Sequence, residues 1–202
     1  LCWNFLRNPR AQDWSLAERP GFLRLHGSAV TLDDVDSPAW VGQRQQHFDC
    51  EAWTALEFAP RREGDEAGLT VRMNETHHDE IAVTRVGESA RIAVRRRIGS
   101  LRAVTASVPV TATRVLLGVR ADKDTYTFGY RLTSQDEPHW LDTAETRYLS
   151  TEVAGGFTGV YFGMYATGHG QPCAAPADFD SFDYLWEGVS PAPPGIPLPT
   201  TG

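Results

Sequence analysis

Lysine is nearly absent from this chain of 202 residues: almost all of its 19 basic residues are arginine. Against them stand 26 acidic residues, for a formal net charge of −7. Nucleic-acid binding asks for clustered Lys and Arg, so this balance argues against that class. The one basic run, Arg95-Arg96-Arg97, follows the strand-like Ile92-Ala93-Val94 and reads as the solvated end of a strand. Long hydrophobic runs are missing as well. No segment approaches the ~20 apolar residues of a transmembrane helix, so no membrane span is expected. No signal peptide is visible, and the chain opens on Leu1 rather than Met, as an excised piece of a longer protein would. Cysteine is sparse: Cys2, Cys50 and Cys173 are odd in number and widely spaced, which is neither a disulfide framework nor a zinc pattern. Buried or incidental thiols are expected. There is no glycine-rich phosphate loop, no nucleophile elbow and no Cys-x-x-Cys, which removes the chemistries those motifs carry.

What the chain has in quantity is short strands. Phe22 to His26 and Ala52 to Phe58 alternate apolar and polar residues, the second with Ala52, Thr54, Leu56 and Phe58 on one face and Trp53 on the other. Gly68 to Met73, Glu80 to Val86, Ala90 to Arg95, Val115 to Arg120, Thr125 to Leu132 and Gly159 to Tyr165 continue the series. Val86-Gly87-Glu88-Ser89 reads as a hairpin in which Gly supplies a positive φ. Asp122-Lys123-Asp124 makes a turn before Thr125. Asp142 to Glu152 is the best candidate for a short helix or ordered loop. Short strands with regularly spaced turns specify a sandwich or barrel, and 202 residues suffice for one sizeable β domain. From Ser190 the chain is proline-rich, which favours an extended tail. The folded domain is therefore expected over residues 1–187, with a tail or linker over residues 188–202. That tail ends Leu198-Pro199-Thr200-Thr201-Gly202, the L-P-x-T-G pattern that sortases couple to bacterial cell walls. If native, it places the protein on the cell surface; otherwise the compartment is open, the cytoplasm included.

Val41 to Phe48 reads V-G-Q-R-Q-Q-H-F. It lacks the apolar alternation of a fully buried strand and carries much hydrogen-bonding capacity, closed by an aromatic. Such a surface suits a polar, ring-shaped ligand or another domain. The stretch resembles a segment of the C-terminal β-sandwich domain of glycoside hydrolase family 43 β-xylosidases. Further motifs stand in the same order: Trp3-Asn4 and Asn8-Pro9, Trp14-Ser15-Leu16-Ala17-Glu18-Arg19-Pro20-Gly21-Phe22-Leu23-Arg24-Leu25, Glu66-Ala67-Gly68-Leu69, Phe157 to Met164, and Ala177-Asp178-Phe179-Asp180. Together they span about 180 residues, which makes the resemblance fairly specific.

The resemblance implies an all-β, concanavalin A-like (jelly-roll) sandwich of two antiparallel sheets. It implies an accessory domain of a β-xylosidase or α-L-arabinofuranosidase, in which an N-terminal five-bladed propeller carries the catalytic carboxyls. The whole enzyme would cut terminal xylose or arabinose from xylo- or arabino-oligosaccharides of hemicellulose, with inversion, and this fragment alone would be inactive. Enzymes of the family are often oligomers, so the sandwich is also a candidate for homo-oligomer contacts. Phe48 matches the aromatic that closes the sugar pocket, where an apolar ring face suits sugar C–H groups. Arg44 and His47 would hold the loop or contact the propeller through hydrogen bonds. Gln43 and Gln45 depart from the commoner family pattern, where arginine and an aromatic often stand, which puts the ligand contacts in question.

Other residues offer sites of their own. Asp178, Asp180 and Asp183 are acidic neighbours, and Asp178 and Asp180, two apart, are expected on one strand face, where carboxylates could hold a structural Ca2+. The same pair has the letters of a glycosidase dyad, which needs one pKa raised by burial. His77-His78 has the wrong spacing to share a metal, since adjacent strand residues face opposite ways, and reads as a surface loop or strand start. Tyr126, Phe128 and Tyr130 alternate onto one face. In a free carbohydrate-binding module such a row stacks on sugar; in a sandwich it is core, and core is the expectation here. An independent binding module and a wall-displayed interaction domain remain as alternative functions.

Overall fold

The alternation in the sequence becomes strands wherever one face can be buried. The computed structural model describes residues 3–157 and 159–186. The expected boundary near Glu187, the proline-rich tail and its terminal LPTTG string lie outside the described residues. In chain order the strands are β1 (Asn4–Phe5), β2 (Trp14–Ser15), β3 (Leu23–Leu25), β4 (Ala39–Arg44), β5 (Cys50–Glu57), β6 (Glu66–Asn74) and β7 (His77–Val86). They continue with β8 (Ser89–Ile98), β9 (Leu101–Pro109), β10 (Arg114–Ala121), β11 (Thr125–Arg131), β12 (His139–Glu145), β13 (Tyr161–Thr167) and β14 (Ala177–Trp186). One sheet has the order β1-β4-β13-β6-β7-β8-β9, and the other β12-β11-β10-β5-β14-β3-β2. All strand pairs within both sheets are antiparallel. Among the described residues no helix is long and apolar enough to cross a membrane.

The inner faces supply the core. Leu69, Val71, Ile81, Ile92, Val94 and Phe162 from the first sheet meet Leu56, Leu117, Val119, Phe128 and Phe179 from the second. Tyr126 and Phe128 are buried here and Tyr130 packs against them, so the aromatic row is core as expected. The hairpin at Gly87 and Glu88 is also present, with Val86 paired to Ser89 and Gly87 at φ +59°. Asp122 makes its turn by accepting the backbone N–H groups of Asp124 and Thr125, each at 2.7 Å. Asp142 to Glu152 divides differently from the expectation: β12 runs to Glu145, then a 3-10 turn covers Thr146–Leu149 and one helical turn, α1, covers Thr151–Ala154.

His77 opens β7, the strand start expected of it, but one expectation is overturned on the outer face of the first sheet. Arg95 is not a solvated strand end. Its guanidinium grips the buried Glu66 at 2.9 and 2.7 Å and the buried Glu80 at 3.1 Å. The Tyr165 hydroxyl lies 2.9 Å from Glu66 and 2.6 Å from Glu80. His78 is buried as well, 3.3 Å from Glu80, while His77 on the opposite face keeps partial exposure. The cause is the β3–β4 connection, whose Leu32 packs with Trp40, Ala82 and Tyr165 into a second small cluster. That cover turns an outer sheet face into an interior, and charge buried there has to be paired.

Candidate functional site

β4 and β5 belong to different sheets, so residues 45–49 cross from one to the other at one end of the sandwich. The V-G-Q-R-Q-Q-H-F stretch begins as the end of β4, with Val41 6% exposed, Gly42 buried and Gln43 half-buried. Only from Arg44 onward does the chain reach the surface. The polar side chains of the crossover are spent largely on the domain itself. Gln45 takes the Tyr126 hydroxyl proton on Oε1 at 2.7 Å and donates through Nε2 to the His47 carbonyl at 2.9 Å. Its backbone N–H donates to the Val160 carbonyl at 2.9 Å. The Tyr184 hydroxyl oxygen accepts the N–H groups of Gln46 at 2.9 Å and His47 at 3.1 Å. Burial pushes the Tyr184 phenol up to about 12, so it remains a neutral hydroxyl.

The His47 ring stacks on Trp186, with centroids 4.7 Å apart and planes 3° from parallel. Arg44 donates to the Tyr161 hydroxyl at 2.9 Å and lies over its ring at 5.0 Å. Arg44 and Gln46 are exposed as well, but Phe48 is the apolar residue of this group that projects: it is 75% exposed and contributes nothing to the core. It lines a cleft of about 720 Å³ with Gln46, His47, the Asp122–Lys123 turn and, opposite, Arg147 and Val153. The cleft offers an apolar ring and groups of both charges, Asp122 and Glu152 beside Lys123 and Arg147. The sequence reading named Arg44, His47 and Phe48, and the structure brings them to one end of the fold. It missed Tyr184 and Trp186, which hold the loop. Their signal was the alternation Phe182-x-Tyr184-x-Trp186, an aromatic row on a terminal strand.

The Asp178–Asp180 pair is occupied differently. Asp178 accepts Arg24 in bidentate fashion at 2.7 and 2.9 Å and Arg19 at 2.8 Å. Those hydrogen bonds, Arg24 first, hold its carboxyl below the usual range against the opposing effect of burial. A bulge between Phe179 and Ser181 leaves Asp180 out of the ladder with β5, so simple two-residue alternation does not relate the two side chains. Asp180 instead accepts Arg114 at 2.5 Å, and Glu57 joins Arg19 to Arg114 at 2.7 Å each. A carboxyl held ionised by two arginines is not the raised-pKa acid of a glycosidase dyad. Among the described residues no group of three or more His, Cys, Asp or Glu is placed to hold a metal ion.

Trp53 and Trp140 are capped by arginines, while Trp3 and Trp186 keep exposed ring surface. Trp53 lies across Gly118, where a Cβ would collide with the indole, and the Arg131 guanidinium covers it at 4.1 Å. Arg120 covers Trp140 at 4.5 Å. Of the thiols, Cys50 is buried, Cys173 is partly buried, and both are free; burial pushes the Cys173 thiol up to about 12.

A model of the β-xylosidase C-terminal concanavalin A-like domain matches residues 1–185. The chain is 40% identical over 185 residues to the non-reducing end α-L-arabinofuranosidase BoGH43B of Bacteroides ovatus, covering 91% of this chain and 35% of that protein. It is 31% identical over 182 residues to a β-xylosidase of Bacillus subtilis, covering 84% of this chain and 33% of that one. Among solved structures, the Bacteroides ovatus xyloglucan PUL GH43B superposes with a TM-score of 0.87 over 92% of this chain and 37% of its own, at 40% identity. The xylan β-1,4-xylosidase of Bacillus halodurans superposes with a TM-score of 0.82 over 91% and 36%, at 30% identity. The chain thus spans about a third of the length of the relatives it matches.

Proposed function

The chain belongs to the family of β-xylosidase C-terminal concanavalin A-like domains, and from that premise we propose that its cleft end completes the sugar pocket of a larger glycosidase. The partner is the N-terminal five-bladed propeller of the same polypeptide, which would bring the catalytic acid and base. The substrate class is a xylo- or arabino-oligosaccharide cut at its terminal sugar. The sandwich contributes shape: Phe48 is an apolar wall beside the terminal ring, which favours chain ends over chain interiors. Arg44 and His47 hold that wall in place.

The observation that carries this reading is Phe48 itself, a large aromatic 75% exposed at the rim of a cleft on a connection tied at both ends. The Tyr126–Phe128 row, the expected stacking platform of a free carbohydrate-binding module, is buried, and Trp53 and Trp140 are capped by arginines. A structural Ca2+ at Asp178 and Asp180 fits poorly with the donor set, because it would have to displace Arg19, Arg24 or Arg114.

The test is Phe48→Ala in the full-length enzyme, assayed on aryl β-xyloside and aryl α-L-arabinofuranoside. We expect kcat/KM to fall about tenfold or more, while stability moves by no more than about 0.5 kcal/mol, as for an exposed side chain. Unchanged kinetics on both substrates would remove Phe48 from the pocket.

A further inference from the structure

Nine phenylalanines occur in the chain, and among the described residues two are exposed, Phe48 and Phe157. Phe157 is 99% exposed, more than any other large apolar side chain in that set. It stands in a short connection with Gly155, Gly156 and Gly159 around it at φ +73°, +79° and +74°. Three positive-φ backbone positions are a conformation that residues with a Cβ rarely adopt, which accounts for glycine at each of them. Both stems of that connection are tied to the cleft end of the sandwich. On one side Asn74, at the end of β6, donates to the Ala154 carbonyl at 2.9 Å. On the other, Val160 accepts the Gln45 N–H, and a Cβ on Gly159 would fall 3.0 Å from the Arg44 guanidinium. Val153, 48% exposed, stands four residues before Phe157 and lines the cleft with Phe48.

A lone exposed apolar residue is ordinary, but Phe157 and Phe48 stand on two connections that are hydrogen-bonded to each other through Gln45 and Val160, so the two exposed rings belong to the same end of the sandwich. From this placement we infer that Phe157 is a second anchor, buried in an apolar recess of the same larger domain that covers Phe48. The relatives carry that domain in the roughly two-thirds of their chains that this one does not match. The inference rests on the reading of Phe48 given above. Phe157 adds a contact outside the sugar cleft, since it is not among the residues that line it. Its role is to fix the angle at which the sandwich meets its partner.

Hydroxyl-radical footprinting of the full-length protein, read residue by residue by mass spectrometry, tests this without a variant. The quantity is protection relative to the intrinsic reactivity of phenylalanine, with the core residue Phe128 as the buried standard. We expect Phe157 and Phe48 both to be protected, Phe157 to the level of Phe128. Phe157 fully labelled beside a protected Phe48 overturns the second anchor and leaves the pocket reading standing. Both residues labelled overturn both. Protection of Phe157 that is lost on dilution to the monomer assigns the covering surface to a second copy, which also overturns the inference.

Discussion

Tyr184 and His47 stand 137 residues apart in the chain and meet at one oxygen: the Tyr184 hydroxyl accepts the His47 N–H at 3.1 Å and lies 3.3 Å from the ring Nδ1. The same oxygen accepts the N–H of Gln46 at 2.9 Å. A turn between sheets leaves backbone donors without ladder partners. Here a side chain from the last strand replaces the missing partner, and the residue that follows is the exposed Phe48.

Tyr184→Phe removes that acceptor and leaves the packing ring in place. The expected cost is about 1 kcal/mol in urea unfolding, the worth of an ordinary hydrogen bond at a partly exposed site. The sharper readout is amide exchange, in which Gln46 and His47 should exchange faster while core amides of β6 and β7 do not. Unaltered exchange at both amides would mean that the hydroxyl does not hold the loop.

Arg95 neutralises two buried carboxylates, Glu66 and Glu80. Burial pushes the Glu66 carboxyl up, but Arg95 and His169 more than offset it and hold it below the usual range. Arg95→Leu strands both charges in the interior and should cost about 3–5 kcal/mol. Adding Glu66→Gln and Glu80→Gln to that variant should recover much of the loss, because the penalty comes from uncompensated charge. Urea unfolding of the single and triple variants checks this; equal stability of the two would refute it.

Asp79 lies 2% exposed and its Oδ1 has no hydrogen-bond partner. Burial pushes its carboxyl up to about 7, despite the nearby Arg96. Between pH 4 and pH 7, roughly the ordinary value and the folded one, the folded chain keeps a proton that the unfolded chain has released. This group therefore lowers stability as pH rises through that window. Asp79→Asn removes the effect, so the melting temperature of the variant should gain on the wild type from pH 5 to pH 7. A difference in melting temperature that is constant over that range would show that Asp79 titrates normally.

Calcium should leave the domain indifferent. With Arg19, Arg24 and Arg114 already on Asp178 and Asp180, neither Ca2+ nor EDTA is expected to shift the melting temperature. A rise with millimolar Ca2+ that EDTA reverses would show that the ion displaces an arginine.

The fold was legible because period-2 alternation is a local signal: β5, β10 and β11 can be read from Ala52, Leu117 or Phe128 and their neighbours alone. β9 was not, because Leu101-Arg102-Ala103-Val104-Thr105 sits on a sheet edge with both faces exposed and carries no clean alternation. The burial of Arg95 and His78 was illegible for another reason. It depends on Leu32 and its neighbours folding back over the sheet, a tertiary event with no mark in the β8 sequence. At the cleft, Arg44 to Phe48 stood out by composition, but the inward turn of Gln45 did not. A glutamine that reaches a ligand and one that reaches Tyr126 look the same in a sequence.

Gln45 ties its backbone to Val160, ahead of a strand of the first sheet, and its side chain to Tyr126, in the second. The crossover is therefore stitched to both layers at once. It lacks the freedom of an independent flap, and moving it would mean shearing one layer past the other. On the pocket reading proposed above, a bulkier guest at that end is met by the sandwich shifting against its partner rather than by the crossover swinging away. Substitutions that loosen the seam between sandwich and partner would then widen tolerance for bulkier guests, while those that soften the sandwich itself would chiefly cost stability.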